Sequence, residues 1–84
     1  MPVIIGVDPH KATHTAVVIN GGEEELDRKK VRAGGAQVDQ LMAWAGPFQA
    51  RTWAIESAGG LGYLLAQQLV AAGETVVDVP ATLA

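Results

Sequence analysis

Two carboxylates stand where a sheet could bring them together. Asp8 follows the apolar run Val3-Ile4-Ile5-Gly6-Val7, and Glu56 follows Arg51-Thr52-Trp53-Ala54-Ile55. Each is the last residue of an expected strand, and ligands of open α/β sheets collect at the carboxyl ends of parallel strands. If the two strands are neighbours, they lie about 4.8 Å apart. Carboxylates that close repel unless a proton or a cation lies between them. An oxygen-only donor set favours Mg²⁺ or Mn²⁺ over zinc. Two metals held by several such groups allow in-line attack at a phosphodiester, one activating the nucleophile and the other steadying the leaving oxygen. A plainer reading also fits: Asp before Pro is a common turn former, and Glu before Ser57-Ala58-Gly59-Gly60 suits a helix entrance.

The neighbours of these residues are read in the same way. His10 suits a ligand or proton carrier and Lys11 a phosphate contact, yet His10, Lys11 and His14 all read more simply as polar loop residues after a turn. Gly59-Gly60-Leu61-Gly62 between a strand and a helix, with Asp78 on the next strand, resembles half a dinucleotide-binding unit. Position 65 is Leu where a third glycine is needed, and Glu56 would repel a pyrophosphate. The glycines are better explained as letting the helix begin close to the strand end.

The elements that must position the two acids follow from pattern and punctuation. Val3 to Val7 reads as a strand buried on both faces, stopped by Pro9. His14 to Ile19 is a second strand, and Asn20-Gly21-Gly22 a hairpin turn. The returning arm, Glu23 to Ala33, has Leu26 and Val31 on opposite parities, which predicts a charged edge strand with a bulge. Val38, Leu41, Met42 and Ala45 give one helix face, ended by Gly46-Pro47. Arg51 to Glu56 is a strand with Trp53 and Ile55 on one side. Leu61, Leu64, Leu65, Leu69 and Ala72 mark a second helix closed by Gly73, and Thr75 to Val79 is a last strand before Pro80. Trp44 and Trp53 are expected to be core or interface anchors. The order β-β-β-α-β-α-β implies an antiparallel meander and then strands parallel to the first, a mixed five-stranded sheet with helices packed on it. This is an α/β, ribonuclease-H-like layout, and equally that of the first half of an actin-like ATPase domain.

Composition bounds the function. Eighty-four residues make one small domain without cysteine, so neither a disulfide nor a thiolate zinc site reinforces it. An apolar fraction of 49% with 18% charged residues argues against disorder and leaves apolar surface for a partner. Six basic and nine acidic residues give a net charge of −3, not the basic excess of a free-standing nucleic-acid binder. No apolar run approaches the roughly 18–20 residues that cross a bilayer, and the first residues do not form a signal peptide. A cytoplasmic location is the expectation.

Ile5-Gly6-Val7-Asp8-Pro9-His10-Lys11-Ala12-Thr13-His14 resembles the opening motif of the DEDD transposases, insertion-sequence recombinases with a RuvC-like N-terminal domain. Trp53-Ala54-Ile55-Glu56-Ser57-Ala58-Gly59-Gly60-Leu61-Gly62 resembles their second acidic motif. The first motif is the more specific, and the likeness extends over nearly the whole chain. It implies that Asp8 and Glu56 are the D and E of the catalytic tetrad, acting as metal ligands. It also implies that two further aspartates and a serine-bearing domain lie beyond Ala84, since nothing around Asp78 matches the third motif. Residues 1–84 are then the incomplete N-terminal part of an RNase-H-like catalytic domain, inactive alone and binding Mg²⁺ or Mn²⁺ at best in the millimolar range. The parent is an enzyme of DNA transposition, with DNA and a guide RNA as implied partners. Two alternatives remain. An actin-like ATPase or sugar-kinase fragment would need Gly and Ser or Thr after the first strand, where Pro9-His10-Lys11 stand. A non-catalytic module would dimerise through the face that absent helices would cover.

Overall fold

The computed structural model describes residues 2–80. The elements follow in the order β1 Val3–Pro9, β2 Thr13–Ile19, β3 Glu25–Arg32, α1 Gln37–Ala45, β4 Arg51–Glu56, α2 Tyr63–Ala71 and β5 Val76–Val79. The strands form one sheet in the order β3-β2-β1-β4-β5. β1 to β3 are the antiparallel meander, whereas β4 pairs parallel with both β1 and β5. This is the α/β arrangement expected of a ribonuclease-H-like fold.

Alternation along the strands decides which side is covered. Ile5 and Val7 of β1, Ala16 and Val18 of β2, and Trp53 and Ile55 of β4 point to one face, where Leu41 and Ala45 of α1 and Leu65 and Leu69 of α2 close the core. Among the described residues nothing packs over the opposite face: Ile4 is 52% exposed, and Val77 and Val79 are exposed on β5. The expectation that Val3 to Val7 is buried on both faces is therefore corrected. An unbroken β-branched run looks the same whether one or both of its sides meet a packed layer. Part of the exposed apolar surface lies here, and part lies around α2, at Leu61, Tyr63, Leu64 and Val70.

Local signals resolve most of the remaining boundaries. β1 runs one residue further than predicted, through Pro9, which is in register with His14 and is tolerated at the strand end. The hairpin turn is held by Asn20, whose Oδ1 accepts the Gly22 and Glu24 N–H groups at 2.9 and 3.0 Å. The predicted bulge in β3 is a register shift opposite Val18 and Ile19. α2 ends as expected, with Gly73 at φ 86°, its N–H on the Val70 carbonyl and that of Glu74 on the Leu69 carbonyl. The start of α2 differs from expectation. Leu61 lies in the preceding turn, and Leu61 and Leu64 are exposed, leaving Leu65 and Leu69 as the buried face. Trp53 is fully buried, and half-buried Trp44 meets Phe48 edge-on at 6.2 Å.

Candidate functional site

Asp8 and Glu56 meet by register. β1 and β4 are parallel neighbours whose ladder ends with Val7 paired to Ile55, and Asp8 and Glu56 are the residues that directly follow this last pair. Val7 and Ile55 both point into the core, and the following residue on each strand points away from it. Both carboxylates therefore stand on the uncovered face, at the carboxyl ends of their strands. They line one open concavity of about 500 Å³, together with Gly6, Thr15, Ala54 and Val79. The Asp8 side chain is 61% exposed, and its Oδ2 lies 3.2 Å from His10 Nε2. Among the described residues no third His, Cys, Asp or Glu joins the pair in a metal-holding group.

The turn after Glu56 is unusual. Ser57 takes φ 56°, a left-handed conformation that a non-glycine residue adopts at a cost. Its carbonyl accepts the Gly60 and Gly62 N–H groups at 2.8 and 3.1 Å, reversing the chain at once. Gly62 follows from this tightness. A Cβ there would lie 2.6 Å from Ile55 Cγ2 and 3.2 Å from the Glu56 carbonyl oxygen. The helix thus begins against the end of the strand that carries Glu56, as the glycine-rich sequence predicted. Asp78 has no part in the acidic pair: in register with Ile55 it belongs to the other face of β5, where its Oδ1 accepts the Ala58 N–H at 3.2 Å.

His14 corrects the loop reading given to it. It lies in β2, as the strand predicted from His14 to Ile19 requires, but it is buried on the helix side and hydrogen-bonded through Nε2 to Gln37 Oε1 at 2.9 Å. Gln37 Oε1 also accepts the Gly34 N–H at 3.3 Å, while Gln37 Nε2 donates to Gln68 Oε1 at 2.6 Å. Because Gln37 presents an oxygen, His14 Nε2 is the donor of this bond, and Nδ1 is buried without a partner among the described residues. This chain of polar groups ties β2 to α1 and α2 directly beneath the strand end that bears Asp8. Sequence reading missed Gln37, since a polar residue at the start of a helix carries no sign that its partner is 23 positions away.

A second polar cluster braces the opposite end of β4. Arg51 Nε donates to Glu74 Oε1 at 2.6 Å and Trp53 Nε1 to the same oxygen at 2.7 Å, while Arg51 Nη1 reaches the Ala45 and Phe48 carbonyls. Burial pushes the Glu74 carboxyl up, but the hydrogen bonds from Arg51 and Trp53 and the Arg51 charge outweigh it and hold the group below its usual value.

Comparison with known proteins bears on the acidic pair. Residues 5–84 match a family of transposases, the DEDD type of insertion element IS110. Over 76 residues the chain is 37% identical to the insertion element IS116 uncharacterized 44.8 kDa protein of Streptomyces clavuligerus, covering 90% of this chain and 19% of that protein. The chain spans about a fifth of the length of that relative.

Proposed function

Since the chain belongs to the IS110 family of DEDD transposases, we propose that it forms the N-terminal part of an RNase-H-like catalytic domain, in which Asp8 and Glu56 contribute half of a divalent-metal site for phosphodiester cleavage and strand transfer. The observation that carries this reading is that the two acids directly follow the last ladder pair, Val7 with Ile55, and line one concavity on the uncovered face. Two solvent-reached carboxylates, with no nitrogen or sulfur donor beyond His10 among the described residues, suit Mg²⁺ or Mn²⁺, which keep several waters. Bound there, the metal would supply Lewis acidity at a phosphate oxygen and an activated attacking water. The residues of the chain itself have separate tasks. Asp8 and Glu56 concentrate negative charge at the strand ends. Ser57 and Gly62 fix the direction in which Glu56 leaves its strand, and His10 steadies the Asp8 carboxylate from outside.

Two carboxylates of an expected four make a weak site, so the 84-residue chain binds Mg²⁺ in the millimolar range or worse and does not cut DNA alone. DNA, and a guide RNA, are partners of the longer protein. A Mn²⁺ titration followed by NMR tests the site. Broadening centred on Asp8, Glu56 and Thr15 supports it; broadening that spares them removes it.

A second reading rests on Ile4, Val77 and Val79, apolar and exposed on one face of the sheet. Two copies of the chain would associate through this face as a dimer, with or without metal. Sedimentation that shows a monomer at high concentration would exclude it. The actin-like alternative lacks a phosphate loop: the connection from β1 to β2 contains no glycine and is closed by the His10 N–H on the Thr13 carbonyl at 2.9 Å.

A further inference from the structure

The charged edge strand is sorted by its pleat. In sequence, Asp27-Arg28-Lys29-Lys30-Val31-Arg32 mixes signs and reads as a solvated edge. In the sheet, Asp27, Lys29 and Val31 belong to the side of α1, where Val31 is buried and Asp27 Oδ2 accepts the Trp44 indole N–H at 2.9 Å. Arg28, Lys30 and Arg32 belong to the uncovered side, in register with Val17, Thr15 and Thr13. Thr15 is in turn in register with Asp8. Lys30, Thr15 and Asp8 therefore form one row across three strands, with Lys30 about 10 Å from Asp8, two strand spacings away, and Glu56 follows the last pair of the next ladder.

Three observations give this row of cations a direction. Arg28 lines the same concavity as Asp8 and Glu56. Among the described residues Arg28 is held by Glu25 at 2.8 Å, whereas Lys30 and Arg32 enter no ion pair. β3 is the outer strand, so nothing in the sheet stands beyond it. Charges that only deter strand pairing would serve with either sign on either side. Here the uncovered side carries cations alone from Arg28 to Arg32, spaced about 6.6–6.8 Å apart by the two-residue repeat. Such spacing is commensurate with successive phosphates along an extended strand.

We infer that Arg28, Lys30 and Arg32 form a track for the phosphodiester backbone of a nucleic-acid strand that lies along β3 and leads into the concavity of Asp8 and Glu56. The inference rests on the transposase reading for its ligand, and it explains how a chain of net charge −3 can still meet a polyanion, on one strand face and not through its overall charge. These residues position the backbone and read no sequence.

The test uses fluorescence anisotropy of the 84-residue chain with single-stranded DNA and RNA of about 20 nucleotides, at several salt concentrations. The double variant Lys30→Gln/Arg32→Gln is expected to weaken binding about tenfold and to lower the slope of log affinity against log salt by about 1.4, or 0.7 per lost phosphate contact. Lys29→Gln, on the same strand but the other face, is expected to change affinity by less than about twofold. A loss with either nucleic acid supports the track and identifies which one it takes. An effect of Lys29→Gln as large as that of Lys30→Gln/Arg32→Gln, or no binding even at low salt, would overturn it. Failure of the Mn²⁺ titration with β3-dependent binding intact would remove the metal reading and leave the track standing.

Discussion

Asp8 and Glu56 stand at the ends of adjacent parallel strands, 48 positions apart in the chain, on the face of the sheet opposite α1 and α2. Like charges at this separation disfavour each other until a cation lies between them. Neutralising one should therefore do no harm to the metal-free fold. Asp8→Asn and Glu56→Gln are expected to leave stability within about 0.5 kcal/mol, as for other surface substitutions. The difference should emerge with metal. With a Kd of a few millimolar, 20 mM Mg²⁺ stabilises the unsubstituted chain by about 1 kcal/mol, which raises Tm by roughly 4–8 °C in a domain of this size. Either variant should lose most of that rise in a thermal melt. Equal rises in all three proteins would show that Mg²⁺ binds elsewhere.

Gly62 sets how closely α2 approaches the strand of Glu56. Gly62→Ala places a methyl group 2.6 Å from Ile55 Cγ2 and close to two backbone oxygens. Overpacking of this kind costs about 1–3 kcal/mol, so the urea midpoint should fall accordingly. Gly59→Ala is the comparison: its Cβ meets nothing within 4 Å, and the substitution should be near neutral or slightly stabilising. A Gly62→Ala protein as stable as Gly59→Ala would mean that the turn can relax, and that Glu56 is not held by it.

How far the sequence announced this arrangement depends on the range of the signal. Gly73 ends α2 as its neighbours foretell, and the parity clash between Leu26 and Val31 foretells the bulge in β3, because both effects are local. The rules of parallel connection allow the adjacency of β1 and β4 but do not dictate it; the strand order of the sheet supplies it, and with it the meeting of Asp8 and Glu56. Coverage of the sheet was not legible. Ile4 and Ile5 are the same residue type, yet one is half exposed and the other fully buried, and only the placement of both helices on one side separates them. His14 and Gln37 were missed for a related reason. A buried polar residue is recognised by its partner, and the partner here comes from another element.

The pair formed by His14 and Gln37 is expected to be worth more together than apart. Gln37→Ala leaves the buried imidazole with neither ring nitrogen bonded to protein. An orphaned buried polar group costs about 1–3 kcal/mol. Replacing both partners, as in His14→Phe/Gln37→Leu, removes the polar demand and should cost less than the two single losses added together. A double-mutant cycle from urea denaturation measures this directly. Additive single effects would show that the contact contributes nothing specific to holding the strand end beneath Asp8.

Glu74 gives the fold its acid sensitivity. Arg51 and Trp53 hold its carboxyl below the usual 4.5 in the folded chain, outweighing the burial that pushes it up. The unfolded chain, lacking those partners, titrates near the usual value. A carboxyl with the lower pKa in the folded state binds its proton first in the unfolded state. Its stabilising contribution is therefore complete above about 4.5, and it is lost as pH falls through the folded value. Glu25 is lowered in the same direction by Arg28, but that pair is exposed to solvent and contributes little. Glu74→Gln should thus destabilise the chain at neutral pH and flatten the decline in stability below about pH 4.5. Denaturation midpoints measured from pH 7 to pH 3 check both parts. A variant whose midpoint falls with acid as steeply as that of the unsubstituted protein would assign the sensitivity to other carboxylates. Glu74 would then be a brace for Arg51 and Trp53 whose charge state is immaterial.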